Sequence, residues 1–147
     1  MHRYKQILVG TDFSELSEYA VEQAVELAER YDATLTVLHV IEHFPEDLPN
    51  QRIAPEDVDP AQYLIERAER DLDVLARNAG SDGARKVVRL TTHSARVEIV
   101  RFAEDLDINL IVIGAHGRHG LRDLLGSTAS SVLSAAPCDV LAVRSAV

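Results

Sequence analysis

The chain has 147 residues, 46% of them apolar and 27% charged, with one cysteine and a net charge of −9. A chain of about 150 residues buries roughly 70% of its unfolded surface and needs no staples, so one domain over residues 1–147 is expected. These figures exclude a disordered or fibrous chain and a disulfide scaffold; the acidic surface argues against nucleic-acid backbones as partners, no apolar run nears the ~18–20 residues of a membrane span, and the N-terminal run Ile7-Leu8-Val9 is too short for a signal peptide.

A lone thiol and no targeting segment make a cytoplasmic chain the expectation. Gln6 to Gly10 reads as a short buried strand around Ile7, Leu8 and Val9. Thr11-Asp12-Phe13-Ser14 reads as a turn, with Ser14 placed as a helix N-cap. Asp12, followed three residues later by Glu15, is a rival for that capping role. Leu16, Ala20, Ala24, Leu27, Ala28 and Tyr31 recur at helical spacing, so Glu15 to Tyr31 is an amphipathic helix. Leu35 to Ile41 is a second strand. Pro45, Pro49, Pro55 and Pro60 then mark Glu42 to Asp59 as a long irregular loop, a length usually reserved for function or disorder.

Leu64, Ala68, Leu72, Leu75, Ala76 and Ala79 mark a second helix from Tyr63 to Ala79, stopped by Gly80 and Gly83. Val87 to Leu90 is a third strand, and Val97, Val100, Ala103 and Leu106 give a third helix. Leu110 to Ile113 is a nearly all-apolar fourth strand, followed by Gly114, Gly117, Gly120 and Gly126. Ser127 to Ala135 is a short helix ended by Pro137, and Val140 to Val143 is the fifth strand. Apolar strands alternating with helices predict an α/β fold, a single open parallel five-stranded sheet with helices on both faces, Rossmann-like.

In such a sheet ligands bind beyond the carboxyl ends of the strands. Attention therefore falls on the glycine-rich stretch after the fourth strand. Between Leu110 and Cys138 the sole acidic residue is Asp123, set against Arg118 and Arg122 and accompanied by His116 and His119. Glycines let a backbone approach a ligand closely. Gly126-Ser127-Thr128 opens a helix whose free N–H groups favour an anion. Neither G-x-G-x-x-G nor G-x-x-x-x-G-K-[ST] is present. The same glycines would equally serve a tight strand-to-helix connection, and both readings stay open on the residues alone.

Over nearly its whole length the chain resembles the universal stress proteins. The resemblance rests on Gly10-Thr11-Asp12-Phe13-Ser14, Leu38-His39-Val40, Leu110-Ile-Val-Ile-Gly114, Gly114-Ala-His-Gly117 with Gly126-Ser127, and Pro137-Cys138-Asp139-Val140-Leu141-Ala142-Val143. It implies the strand order 3-2-1-4-5 and a site for ATP or AMP, with or without Mg²⁺. By position it sets Asp12 near ribose and adenine, Val40 against the adenine edge through its backbone, and Gly114, Gly117, Gly126, Ser127 and Thr128 around ribose and phosphates. His116, Arg118 and His119 would neighbour the phosphates. The nucleotide-binding branch places nine residues between the second and third glycines; here Arg118 to Leu125 make eight. The resemblance also implies a homodimer through the edge strand Val140–Val143, whose few charges invite pairing.

Other features read more plainly. His116 and His119 lack a third metal ligand nearby, and His39 and His43 straddle a strand end. Cys138 reads as a small buried hydrophobe. Ser127, Thr128, Ser130 and Ser131 lack a nucleophile elbow. Glu66, Arg67, Glu69, Arg70, Asp71 and Asp73 make a solvated helix face. The expected function is a small stress-response regulator that binds ATP or AMP with little or no catalysis, since no lysine follows Lys86 to reach phosphates. The alternatives are a dimeric module for an unidentified protein partner that has lost nucleotide binding, and a slow ATPase.

Overall fold

Ile7, Leu8 and Val9 are consecutive and all fully buried. Neighbouring strand residues face opposite sides, so this strand must be covered on both faces. The computed structural model, which describes residues 3–43, 59–116 and 125–144, shows how. Strands β1 (Gln6–Gly10), β2 (Thr34–Glu42), β3 (Arg85–Thr91), β4 (Leu110–Gly114) and β5 (Asp139–Val143) alternate with helices α1 (Glu15–Tyr31), α2 (Pro60–Asn78), α3 (Ala95–Asp105) and α4 (Ser127–Ala135). The strands form one sheet in the order β3-β2-β1-β4-β5, and all four pairings are parallel. The expected α/β class and strand order are both met.

Two apolar layers sandwich the sheet. On one face Ile7, Val9, Val37, Leu110 and Val112 pack with Ala20, Val21 and Ala24 of α1 and Leu72 and Leu75 of α2. On the other, Leu8, Leu38, Ile111 and Ile113 pack with Ile99 and Phe102 of α3 and Val132 of α4. Chain connections leave β1 for one side and β4 for the other. The gap between these two central strands, at their carboxyl ends, is therefore the switch point where ligands settle.

The element ends show what local pattern misses. Helix α2 begins at Pro60, not at Tyr63, because Asp59 caps it by accepting from the Ala61 N–H at 3.2 Å and proline suits the first helical position. Apolar spacing starts only a turn later. Residues 44–58 of the expected loop lie outside the described residues. The cap of α1 is Ser14, whose hydroxyl accepts from the Ser17 N–H at 3.3 Å. Asp12 does not cap that helix. Cys138 is half-buried at the second apolar layer. Burial, then the neighbouring Asp139 charge, raises its thiol pKa.

The two strand-end glycines beside the switch point differ in their surroundings. A methyl group on Gly114 would stand 3.2 Å from Leu16 Cγ and 3.3 Å from its Cδ2, so α1 rides directly over this backbone. On Gly10 it would meet only Ile99 Cδ1, at an ordinary 3.6 Å. Gly114→Ala should therefore cost about 1–3 kcal/mol by overpacking. Gly10→Ala should be neutral or gain up to about 0.5–1 kcal/mol from reduced backbone freedom. Urea unfolding of both variants checks the contrast; equal stabilities would show that Leu16 yields freely.

Candidate functional site

A cleft of about 450 Å³ opens at the switch point. Its walls come from the ends of β1, β2 and β4 and the starts of α3 and α4, and each is shaped by local chemistry. The β1–α1 wall is the turn Thr11-Asp12-Phe13. Phe13 sits at φ 64°, a left-handed conformation unfavourable for a bulky residue. The surrounding hydrogen bonds hold it there. The Phe13 N–H donates to Thr11 Oγ1 at 3.0 Å, and Ser17 Oγ donates to the Ser14 carbonyl at 2.9 Å. Thr11 Oγ1 and Ser17 Oγ lie 2.9 Å apart. A hydroxyl has one proton, so with that of Ser17 committed, Thr11 must donate to Ser17. The result is a one-way relay from the Phe13 amide through two buried hydroxyls to the Ser14 carbonyl. Asp12 Oδ1 accepts from the Ser14 N–H at 3.0 Å, which fixes its carboxylate at the cleft mouth.

The β2 wall exposes backbone. Gly10 is the last β1 residue to pair with β2, opposite Leu38, and the Thr11 N–H still donates to the Leu38 carbonyl at 2.9 Å. In a parallel pair every second residue turns its N–H and C=O toward the same neighbour. Val40 therefore turns the next N–H and C=O toward space where β1 has ended. Among the described residues nothing in the β1 direction pairs with them.

Two helix starts meet the cleft in opposite states. At α3 the N-cap Ser94 makes no side-chain bond. Glu42, from the end of β2, caps the helix instead and accepts from the Ala95 N–H at 3.0 Å. At α4 the N-cap is Gly126, which has no side chain to offer. The Gly126 N–H is itself used, donating to the Ala115 carbonyl at 2.7 Å, while the Ala115 N–H donates to Val143 at 2.8 Å. The amides of Ser127, Thr128 and Ala129 have no intrahelical acceptor, and among the described residues none accepts from them. Both hydroxyl residues line the cleft.

Asp12, Val40, Gly114, His116, Gly126, Ser127 and Thr128, far apart in sequence, all line this one cleft. Gly117, Arg118 and His119 lie outside the described residues. The lining also includes Thr11, Ser17, Glu42, Ala95, Ile99 and Ile113, which sequence reasoning did not single out. Thr11 and Glu42 were findable as polar residues at strand ends. Ser17, Ala95 and Ile99 carry no such signal, because their place depends on how α1 and α3 lie on the sheet. Among the described residues no group of three His, Cys, Asp or Glu side chains gathers as a metal site.

Residues 3–144 match the model of the universal stress protein family. A relative, universal stress protein A homolog 1 of Coxiella burnetii, is 38% identical over 143 residues, covering 97% of each chain. The solved universal stress protein UspA from Lactobacillus plantarum superimposes with a TM-score of 0.72 at 28% identity, covering 97% of this chain and 99% of that one. A solved universal stress protein in complex with cAMP superimposes with a TM-score of 0.69 at 25% identity, covering 97% of this chain and 98% of that one.

The hydroxyl relay yields a stability prediction. Thr11→Val keeps the shape but strands the Phe13 N–H beside the left-handed turn. It should cost about 1–3 kcal/mol, whereas Thr11→Ser should keep most of the stability. Denaturant midpoints of the two variants decide between them; a stable Thr11→Val would mean the relay does not hold the turn.

Proposed function

The chain belongs to the universal stress protein family, and we propose that within it this protein is a stress-response regulator that binds ATP or AMP in the switch-point cleft with little or no hydrolysis. The observation that carries the reading is the pairing of two unsatisfied backbone edges across one cleft. The open first turn of α4, at Ser127, Thr128 and Ala129, offers donors and a positive dipole end to an anion. The Val40 edge offers one N–H and one C=O side by side, the complement of the donor–acceptor edge of adenine. Asp12 lines the same cleft and would meet the ribose hydroxyls. A volume of about 450 Å³ suits a ligand of this size, and one solved relative holds cAMP.

The described lining has carboxylates at Asp12 and Glu42 and no lysine or arginine. Phosphate charge would thus be met by the α4 dipole and by amides and hydroxyls, with Gly117, Arg118 and His119 proposed as further neighbours; Asp12 would be the residue to hold Mg²⁺, which would supply further positive charge. Such a site binds more readily than it catalyses, because phosphoryl transfer needs placed cations around the leaving group. The eight-residue spacing does not argue against binding. The Ala115–Gly126 hydrogen bond ties the base of the loop directly, so α4 starts from a fixed point whatever loop length lies between.

Heat release of ligand from freshly purified protein, followed by calorimetric titration of emptied protein with ATP and AMP, with and without Mg²⁺, tests the reading. Saturable binding near one per chain is expected. Ser127→Ala, which removes a hydroxyl donor from the cleft lining, should weaken binding about tenfold. No heat at millimolar ATP would leave the interaction-module alternative; turnover lost in Asp12→Ala would establish a slow ATPase.

We also infer a homodimer formed through β5. This strand is one of the two sheet edges, and Leu141 is 40% exposed. The Val143 carbonyl is taken from the β4 side by Ala115, so alternation turns the N–H groups of Val140 and Ala142 outward. Light scattering at micromolar concentration should give a dimer mass for the native chain and a monomer mass for Ala142→Pro, which removes one outward donor. A native monomer would refute the assembly.

A further inference from the structure

The ligand face of β2 depends on where the β1–β2 ladder stops, and His39 is placed at the stop. In a continuing parallel ladder the next bond after Thr11 N–H to Leu38 O would run from the Val40 N–H to the Thr11 carbonyl. That carbonyl is bonded elsewhere: His39 Nδ1 lies 2.7 Å from it, and among the described residues the Val40 N–H makes no bond to it. A carbonyl oxygen can only accept, so Nδ1 carries the proton and donates. A side chain of β2 thus takes the acceptor that its own backbone would otherwise claim one residue later. The same imidazole lies 4.4 Å from the Phe13 ring at a tilt of 42°, against the residue held at φ 64°.

We propose that His39 is a positioning residue for the cleft. By bonding the Thr11 carbonyl it draws that acceptor toward the imidazole and away from the Val40 N–H, leaves the Val40 N–H and C=O open to the cleft, and braces the turn that carries Asp12. It touches neither base nor phosphate in this scheme; its effect passes through Thr11, Phe13 and the Val40 backbone. The ligand part of the test rests on the nucleotide-binding reading, so a second readout is independent of any ligand.

Asparagine can place an amide N–H where Nδ1 stands. Leucine has no donor, and glutamine carries its amide one carbon too far. ATP titration of His39→Asn, His39→Leu and His39→Gln should therefore split the variants. The Leu and Gln forms should lose about tenfold or more in affinity, the worth of one such hydrogen bond, while the Asn form stays within about threefold of native. Leu or Gln variants that bind like the native chain, or an Asn variant that fails with them, would overturn the proposal.

Amide exchange gives the ligand-free readout. In the Leu and Gln variants the freed Thr11 carbonyl should be claimed by Val40, so the Val40 amide exchanges more slowly than in the native and Asn forms. The Phe13 amide should exchange faster. If native protein binds no ATP, the nucleotide reading falls and exchange alone decides. Altered Val40 and Phe13 rates in Leu and Gln but not Asn uphold the role of His39, and unchanged rates overturn it.

Discussion

The site depends on one constraint: the chain must leave β1 abruptly. A strand that ran on past Thr11 would pair with Val40 and close the cleft. The break is made by putting Phe13 in the left-handed region, at φ 64°, a conformation that costs on the order of 1–3 kcal/mol for a non-glycine residue. Glycine would reach it without strain. What phenylalanine adds is a ring packed against the α1–α2 layer and the His39 imidazole. The turn is over-determined by the hydroxyl relay, the Asp12–Ser14 bond and the His39–Thr11 bond. The strain is held where Asp12 is presented, and the α1–sheet packing supports it.

The same sheet produces the opposite treatment of two helix starts. α3 receives a carboxylate from Glu42, so its positive end is already neutralised within the chain. α4 receives only glycine at its cap, and its first-turn amides stay open. Two open helix ends in one cleft would draw an anion equally toward either. Closing one with Glu42 gives the cleft a polarity, with its anion-seeking end beside Gly114 and His116. This polarity follows from where β2 ends, because only a β2 that outruns β1 carries Glu42 to the start of α3.

How much of this was legible in the sequence divides by distance along the chain. β1, α1 and α4 were readable to the residue, because apolar runs, helical spacing and the Ser14 and Gly126-Ser127 boundaries are local signals. The start of α2 was not, since Asp59 and Pro60 act through capping without adding an apolar residue. The cleft residues Asp12, Val40, Gly114 and Ser127 could be named through family resemblance and the rule for strand ends. Their supporting partners could not. His39 reaches a carbonyl 28 positions earlier in the chain, and Glu42 an amide 53 positions later. Both bonds exist only once β2 is registered against β1 and β3, and no short window of residues encodes that register.

Glycine spacing is one guide to where α4 starts, and the contacts at the two ends of the connection are another. A count of eight residues where the nucleotide-binding pattern has nine suggests a displaced helix. Position in a fold is set by contacts at the ends of a connection, and loop length adds an entropic term that grows only slowly. Here the ends are tied to each other through Ala115 and Gly126, and Ala115 is tied in turn to β5 through Val143. Gly114 supplies the close approach of α1 through Leu16. The start of α4 is therefore referenced to the sheet by two hydrogen bonds and not by the residues between. Tied in this way, the start of α4 holds Ser127 and Thr128 beside the strand ends through contacts outside residues 117–124.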